Sequence, residues 1–311
     1  MPIFLAGPTA VGKSAAALLL ARELAGEIIS VDSMQVYRGL DIGTAKPSSE
    51  ERAQVPHHLL DVVALNESFD AACFIRRARE ACEGIYERGR IPIFCGGTGL
   101  YFKAWLEGLG NSPRSDTALR AELAECPVES LLQELREKDP VTYERIDRQN
   151  PRRVLRAVEV IRLTGKPISQ LQAAWTQDRV LTPGFFYLHR HPADAIERIN
   201  GRVDTMFHQG WVDETRRLQT EGLEKNPTAM QAIGYRQILE HLEGKRSLSA
   251  TQELVRIRTR QYARRQSIWF RRHGTAKWML IGAHETPTEV VARLVSDLRA
   301  PSGASLSHPA L

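Results

Sequence analysis

A chain of 311 residues, 42% of them hydrophobic and 25% charged, is long enough for one generous core or a core with a smaller appended domain, and too apolar to be disordered or fibrous. It contains no run of about 18 apolar residues, so a membrane span is not expected. The formal net charge of +5 is a mild basic bias that does not by itself separate a nucleic-acid enzyme from a basic metabolic one.

In chain order, the first element is a short apolar strand, Ile3 to Ala6, entered from Met1-Pro2 without a basic leader or cleavage site, so the expected location is the cytoplasm. The strand runs into Gly7-Pro8-Thr9-Ala10-Val11-Gly12-Lys13-Ser14, which matches G-x-x-x-x-G-K-[ST] at every fixed position. Ser14 to Ala25, rich in Ala and Leu, reads as a helix closing at Gly26. A strand, a glycine loop and a helix in that order form a phosphate cradle. Successive backbone N–H groups and the helix N-terminus attract an anion, Lys13 reaches terminal phosphate oxygens, and the Ser14 hydroxyl is a ligand for Mg²⁺.

Glu27 to Val31 reads as a second strand, with Asp32-Ser33 at its carboxyl end, where open α/β sheets gather ligand-contacting groups. As a purely structural residue Asp32 would only cap the turn that follows. His57 and His58 are adjacent, point in different directions and have no third ligand at a sensible spacing, so a structural role is expected for both. A third strand, Ile91 to Cys95, ends in Gly96-Gly97-Thr98-Gly99, a second glycine turn that lets backbone approach a ligand at the same sheet edge. Phe102, Trp105 and Leu106, at helical spacing after it, are expected in the core.

The composition changes near Asn111-Ser112-Pro113-Arg114, and from there to about Arg179 the pattern is helical, with no β-rich run and with ISQLQAAW (168–175) as its last helix. Phe185 to Leu188 then returns as a strand, and a last strand is expected near Trp278 to Ile281. The fold class is therefore α/β: a P-loop nucleotide-kinase-like parallel sheet flanked by helices. An all-helical insertion, residues 113–179, interrupts a discontinuous core of residues 1–112 and 180–311. Cys73, Cys82, Cys95 and Cys126 show neither CxxC pairing nor histidines at metal spacing, which points to buried free thiols with no structural metal and no disulfide.

Positive charge is concentrated in two places. Between Glu253 and Glu285 the chain has no acidic residue, and Arg256, Arg260 and Arg264 fall at i, i+4 and i+8, one helical face suited to tracking a polyanion, with Trp269 and Phe270 as apolar anchors. Arg152, Arg153 and Arg156, with Arg145, Arg148 and Arg162 around them, form a second basic element. Two such elements suit an extended polyanion better than one compact phosphate ligand. Three function classes stay open on the residues alone. One is phosphoryl transfer to a small acceptor with Asp32 as base, against which no apolar strand ends in an obvious Walker B carboxylate: Ile91 to Cys95 ends in glycines and Phe185 to Leu188 in His189. The others are a nucleic-acid enzyme and a non-catalytic P-loop RNA-binding protein.

Five blocks then resemble, in order, those of the tRNA dimethylallyltransferases: SVDSMQVYRGLDIGTAKP (30–47), PHHLLD (56–61), GGTGLYFKAWLEGL (96–109), AIGYRQ (232–237) and RQYARRQSIWF (260–270). The resemblance spans about residues 3 to 280 and implies transfer of the dimethylallyl group from its diphosphate to N6 of adenosine 37 in tRNAs reading codons that begin with U, with Mg²⁺ as cofactor. It further implies that Asp32 accepts the N6 proton or holds the amine for attack, and that Lys13 and Arg202, the latter in Arg198-Ile199-Asn200-Gly201-Arg202, stabilise the departing diphosphate. Thr9 and Ser14 would orient that group, and Thr98 would lie where the two substrates meet. Asp32-Ser33-Met34-Gln35, Arg152-Arg153-Val154-Leu155-Arg156 and Gln231-Ala232-Ile233-Gly234-Tyr235-Arg236 correspond to the family's tRNA-contacting segments, with Thr98 and Arg120 as further contacts. The adenine is expected to be flipped out of the anticodon loop to reach a buried diphosphate. The chain has no cysteines for the C-terminal zinc finger of some eukaryotic members and resembles the compact bacterial form, expected to act as a monomer without a membrane partner. The tail from His284 onward carries no reading.

Overall fold

The computed structural model describes residues 1–110, 113, 115–171, 181–273 and 275–300. It divides into two compact units, residues 1–103 with 178–311, and residues 104–177. The first boundary precedes the compositional change at residues 111–114, because the helix that begins at Gly99 carries the chain from one unit into the other. Asn111, Ser112 and Arg114, the expected helical residues 172–175 and the Pro301-Ser302-Gly303 stretch lie outside the described residues.

In the first unit the strands are β1 (Ile3–Ala6), β2 (Gly26–Val31), β3 (His57–His58), β4 (Ile91–Gly96), β5 (Phe185–His189) and β6 (Lys277–Leu280). They form one parallel sheet in the order β3-β2-β4-β1-β5-β6. The helices before the insertion are α1 (Lys13–Glu23), α2 (Ser49–Gln54), α3 (Ala71–Glu87) and α4 (Gly99–Glu107). The second unit holds α5 (Thr117–Ala124), α6 (Val128–Lys138), α7 (Pro140–Arg145), α8 (Pro151–Thr164) and α9 (Ile168–Leu171). After it come α10 (Pro192–His208), α11 (Trp211–Thr220), α12 (Tyr235–Leu242), α13 (Leu248–His273) and α14 (Pro287–Arg299). No described helix is long and apolar enough to cross a membrane.

The strands read as continuous apolar runs because both faces of a parallel sheet are covered. Alternation sorts their side chains. Phe4, Phe94 and Phe185 face one side and pack with Phe102 of α4 and Phe270 of α13, with Phe102 stacked on Phe185 at 5.2 Å between centroids. Ile3, Leu5, Ile93, Phe186 and Leu188 face the other side and meet Leu20 of α1 and Leu294 of α14. Gly26 does not close α1 as the sequence suggests. Helix α1 ends at Glu23, Ala25 takes the positive φ (50°), and Gly26 opens β2, where a side chain would come within 2.8 Å of the Ile91 carbonyl. The paired histidines form the edge strand β3: His57 Nδ1 lies 2.8 Å from Val55 O and His58 Nε2 lies 2.6 Å from the carboxylate of buried Glu27. Glu27 also accepts from Arg88 at 2.9 and 2.8 Å, and those bonds hold its carboxyl down at about 2.

In the second unit, Leu131 and Leu135 of α6 meet Val154, Val158 and Ile161 of α8. Helix α8 is punctuated at both ends. Asn150 caps it by accepting from Arg153 N, Pro151 sits at its first position, and Gly165 takes φ 68° beyond its last turn.

Candidate active site

The P-loop between β1 and α1 is held in a shape its sequence does not favour. Ala10 has φ 63° and Gly12 φ 104°, and a left-handed alanine costs about 1 kcal/mol or more unless its surroundings impose it. Three residues impose it here. Arg198 Nε of α10 donates to the Ala10 carbonyl at 3.1 Å, and Ile199 and Ala263 pack against the Ala10 methyl. Arg190 Nε donates to the next carbonyl, Val11 O, at 2.9 Å and is itself held by Asp194 and Gly282 O. Within the loop Thr9 N donates to Gln266 and Val11 N to Pro8 O at 3.4 Å, so an anion would be met by the amides that open α1. Gly7 is required by space, since a Cβ there would come within 2.8 Å of Leu188 O. Pro8 is buried, Thr9 half-buried and Ser14 exposed at the start of α1.

Lys13 Nζ folds across the loop to donate to Pro8 O at 3.3 Å. Burial pushes its pKa down, the Arg202 guanidinium adds to that, and Asp32 and Cys95 oppose it. Arg202 is likewise pushed down by burial and held up by Asp32, and a guanidinium stays charged through such a shift. The three residues expected to carry the chemistry therefore sit within electrostatic reach of one another, one carboxylate facing two cations. Tyr101 and Tyr262 feel the same carboxylate: burial pushes both phenols up, followed by Asp32 for Tyr262 and by Tyr37 and then Asp32 for Tyr101. The Cys95 thiol beneath Lys13 is pushed up to about 11 by burial, which leaves it a neutral packing group.

Asp32 leaves the end of β2 with its Oδ1 accepting from Met34 N at 2.8 Å and Gln35 N at 3.3 Å. This is the turn cap that a purely structural aspartate would make, yet the charge of Asp32 also acts on Lys13 and Arg202. Thr98, at the end of β4, accepts from Ser33 N at 3.2 Å and donates its own N–H to Val31 O, locking the two strand ends together. Gln35 is turned inward: its side chain accepts from Ser30 Oγ at 2.9 Å and donates to Thr44 O and Ala45 O.

The other tRNA-contact candidates divide by exposure. Arg152 and Arg153 are exposed at the start of α8, whereas Val154 is fully buried in the second unit's core and Leu155 partly buried. Arg120 and Arg156 both pair with buried Glu159, at 3.0 and 2.6 Å. In the first unit, Gln231 and Arg236 are exposed, Ile233 is half-buried, and Ala232, Gly234 and Tyr235 are buried. The side chains of Val154, Ala232 and Tyr235 thus serve packing, and a contact with RNA in these segments falls to their exposed neighbours.

The basic face of α13 is also revised. Arg256 pairs with Asp204 and, at 3.1 Å, with Glu253; Arg260 reaches Asn200 Oδ1 at 3.0 Å and Glu253 at 3.0 Å. Asn200 and Asp204 are spaced four apart on α10 and meet two arginines spaced four apart on α13, so this face docks the helix onto α10. Arg264 remains exposed. The same helix supplies a residue the sequence did not single out. Gln266, buried, accepts from Thr9 N at 3.0 Å and donates to Gly97 O at 3.0 Å, bridging the two glycine loops. Arg190 lies far from the P-loop in sequence and carries no motif of its own; Gln266 falls within the RQYARRQSIWF block and Arg198 within Arg198-Ile199-Asn200-Gly201-Arg202, but neither block assigns them a role.

The family model for IPP transferase matches residues 35–273. A tRNA dimethylallyltransferase of Trichlorobacter lovleyi is 44% identical over 282 residues, covering 89% of this chain and 92% of that protein. One from Protochlamydia amoebophila is 41% identical over 305 residues, covering 95% and 88%. Among solved structures, a tRNA isopentenylpyrophosphate transferase of Bacillus halodurans superposes with a TM-score of 0.68 at 37% identity, covering 95% of this chain and 96% of its own. A eukaryotic dimethylallyltransferase captured acting on tRNA gives 0.74 at 27% identity, covering 97% and 81%. On a match this extensive, and with the P-loop, Asp32, Thr98 and Arg202 assembled as described, the chain belongs to the IPP transferase family.

Proposed function

We propose that this protein transfers the dimethylallyl group from dimethylallyl diphosphate to N6 of adenosine 37 in cytoplasmic tRNAs that read codons beginning with U. The observation that carries this reading is the single Asp32 carboxylate set against Lys13 and Arg202 at the mouth of the P-loop. The P-loop amides and Lys13 bind the diphosphate, with Thr9 and Ser14 orienting it. The N6 amine attacks the allylic carbon, the carbon–oxygen bond to the diphosphate breaks, and the N6 proton passes to Asp32. Charge develops on the departing diphosphate, where Lys13 and Arg202 are already in place and partly desolvated, the arrangement in which fixed cations contribute most. Positioned proton transfer of the Asp32 kind contributes roughly 10²–10⁴ in rate. Mg²⁺ fits the donor set, because the exposed Ser14 hydroxyl and diphosphate oxygens are hard ligands and this ion is bound through few protein atoms. Bound there, it would neutralise diphosphate charge.

Thr98, joined to Ser33 N, keeps the acceptor side of the site at a fixed distance from the P-loop. Exposed Arg152, Arg153, Gln231 and Arg236 are the side chains of the candidate segments suited to meet the anticodon arm. The test is incubation with Mg²⁺, dimethylallyl diphosphate and unmodified tRNA carrying A36 and A37, followed by nucleoside digestion. Formation of N6-isopentenyladenosine is the expected result. ATP consumption with small hydroxyl acceptors, and no modified nucleoside, would replace this reading with a kinase.

A further inference from the structure

One buried carboxylate lies outside the chemistry just described and yet grips both acceptor-side segments. Glu214, in the first turn of α11 and 7% exposed, accepts from three consecutive backbone amides: Asp41 N at 3.1 Å, Ile42 N at 2.8 Å and Gly43 N at 3.3 Å. Its Oε1 also accepts from the Tyr235 hydroxyl at 2.8 Å, and burial together with Glu214 pushes that phenol well up, so it stays a donor. One turn earlier, Trp211 closes on the same two segments. A side chain at Gly43 would meet its indole at 2.3 Å and one at Gly234 at 2.1 Å. The far end of the loop is fastened separately, where Lys46 donates to Tyr37 O at 2.6 Å and pairs with Asp41 and Asp61.

Three amides converging on one anion make a backbone nest, here filled by the protein's own carboxylate. We infer that Glu214 is a positioning residue for the RNA substrate: it presets the loop that follows Asp32 and ties it to the Gln231–Arg236 segment, so that both meet the tRNA in one fixed arrangement. This rests on the tRNA reading proposed above. A preset surface spares the ordering cost that binding would otherwise bear. It acts on the acceptor side alone, since none of the Glu214 partners belongs to the P-loop.

Glu214→Gln separates this role from general bracing. An amide keeps one acceptor oxygen but turns an NH₂ toward backbone donors, so part of the nest is lost. The expected outcome is a KM for tRNA raised about tenfold, equal to about 1.4 kcal/mol, with the KM for dimethylallyl diphosphate within about twofold. Glu214→Asp should recover part of the loss, and Tyr235→Phe, which leaves the three amide bonds in place, should raise the tRNA KM by only about threefold. Equal changes in both KM values, or a lowered melting temperature with both unchanged, would make Glu214 a fold brace and overturn the inference. Hydrogen exchange on the wild type needs no variant: the Asp41–Gly43 amides should be protected before tRNA is added. Free exchange until tRNA binds would show that the RNA orders the loop. Absence of isopentenyladenosine from the wild type would instead strike the proposed function.

Discussion

Removing Gln266 should uncouple the two glycine loops. In Gln266→Ala the Thr9 N–H and Gly97 C=O both lose their partner. A buried backbone group left unsatisfied costs about 1–3 kcal/mol, and because Thr9 is only half-buried the pair should cost about 2–3 kcal/mol. For a chain of this size that lowers Tm by about 3–5 °C. The functional loss should be larger, because Gly97 precedes Thr98, which fixes Ser33 and hence Asp32; a displacement of ~1 Å at a reacting group can cost ~10²-fold. Gln266→Glu sharpens the test. It keeps an acceptor for Thr9 N but sets a carboxylate oxygen against Gly97 O, so turnover should fall further at neutral pH and recover partly as acid protonates the glutamate. Thermal unfolding with steady-state prenyl transfer across pH measures both effects. An alanine variant that melts within about 1 °C of wild type and turns over normally would refute the bridge.

The Glu27 cluster predicts a pH dependence of stability. With its carboxyl held at about 2 in the folded state by Arg88 and His58, Glu27 contributes stability fully present above the unfolded value near 4.5 and lost as pH falls through the folded value. Glu27→Gln should cost about 2–3 kcal/mol at pH 7 and flatten the denaturation profile between about pH 5 and pH 2; equal slopes for both proteins would contradict the assignment. Arg198→Ala, which frees the left-handed Ala10, should weaken diphosphate binding about tenfold by titration calorimetry while tRNA affinity holds. Arg153→Ala, at the exposed start of α8, should lower tRNA affinity and reduce the log–log salt slope by about 0.7–0.9; an unchanged slope would remove Arg153 from the RNA surface.

Much of this architecture could be read before the fold was in view. Parallel strands are buried on both sides, so β1, β2, β4 and β5 stand out as apolar runs, and the P-loop needs glycines at fixed spacing. Asp32 was placed by its position at a strand end. Other features depend on partners that sequence cannot bring together. The arginines of α13 look solvent-facing until Asn200 and Asp204 arrive opposite them. Glu214 sits in an unremarkable Trp-Val-Asp-Glu turn, and only the fold brings three amides to it. Gly26 reads as a helix stop because glycine often is one, whereas here the Ile91 carbonyl requires it.

The central claim is that Asp32 takes the N6 proton while Lys13 and Arg202 hold the leaving group, and single-turnover formation of isopentenyladenosine by Asp32→Asn tests it most directly. An asparagine keeps an oxygen for Met34 N and Gln35 N, so the turn survives and dimethylallyl diphosphate should bind within about threefold of wild type. The predicted result is a rate lowered by about 10²–10⁴ at unchanged substrate affinity. A variant that prenylates tRNA at the wild-type rate would contradict the account.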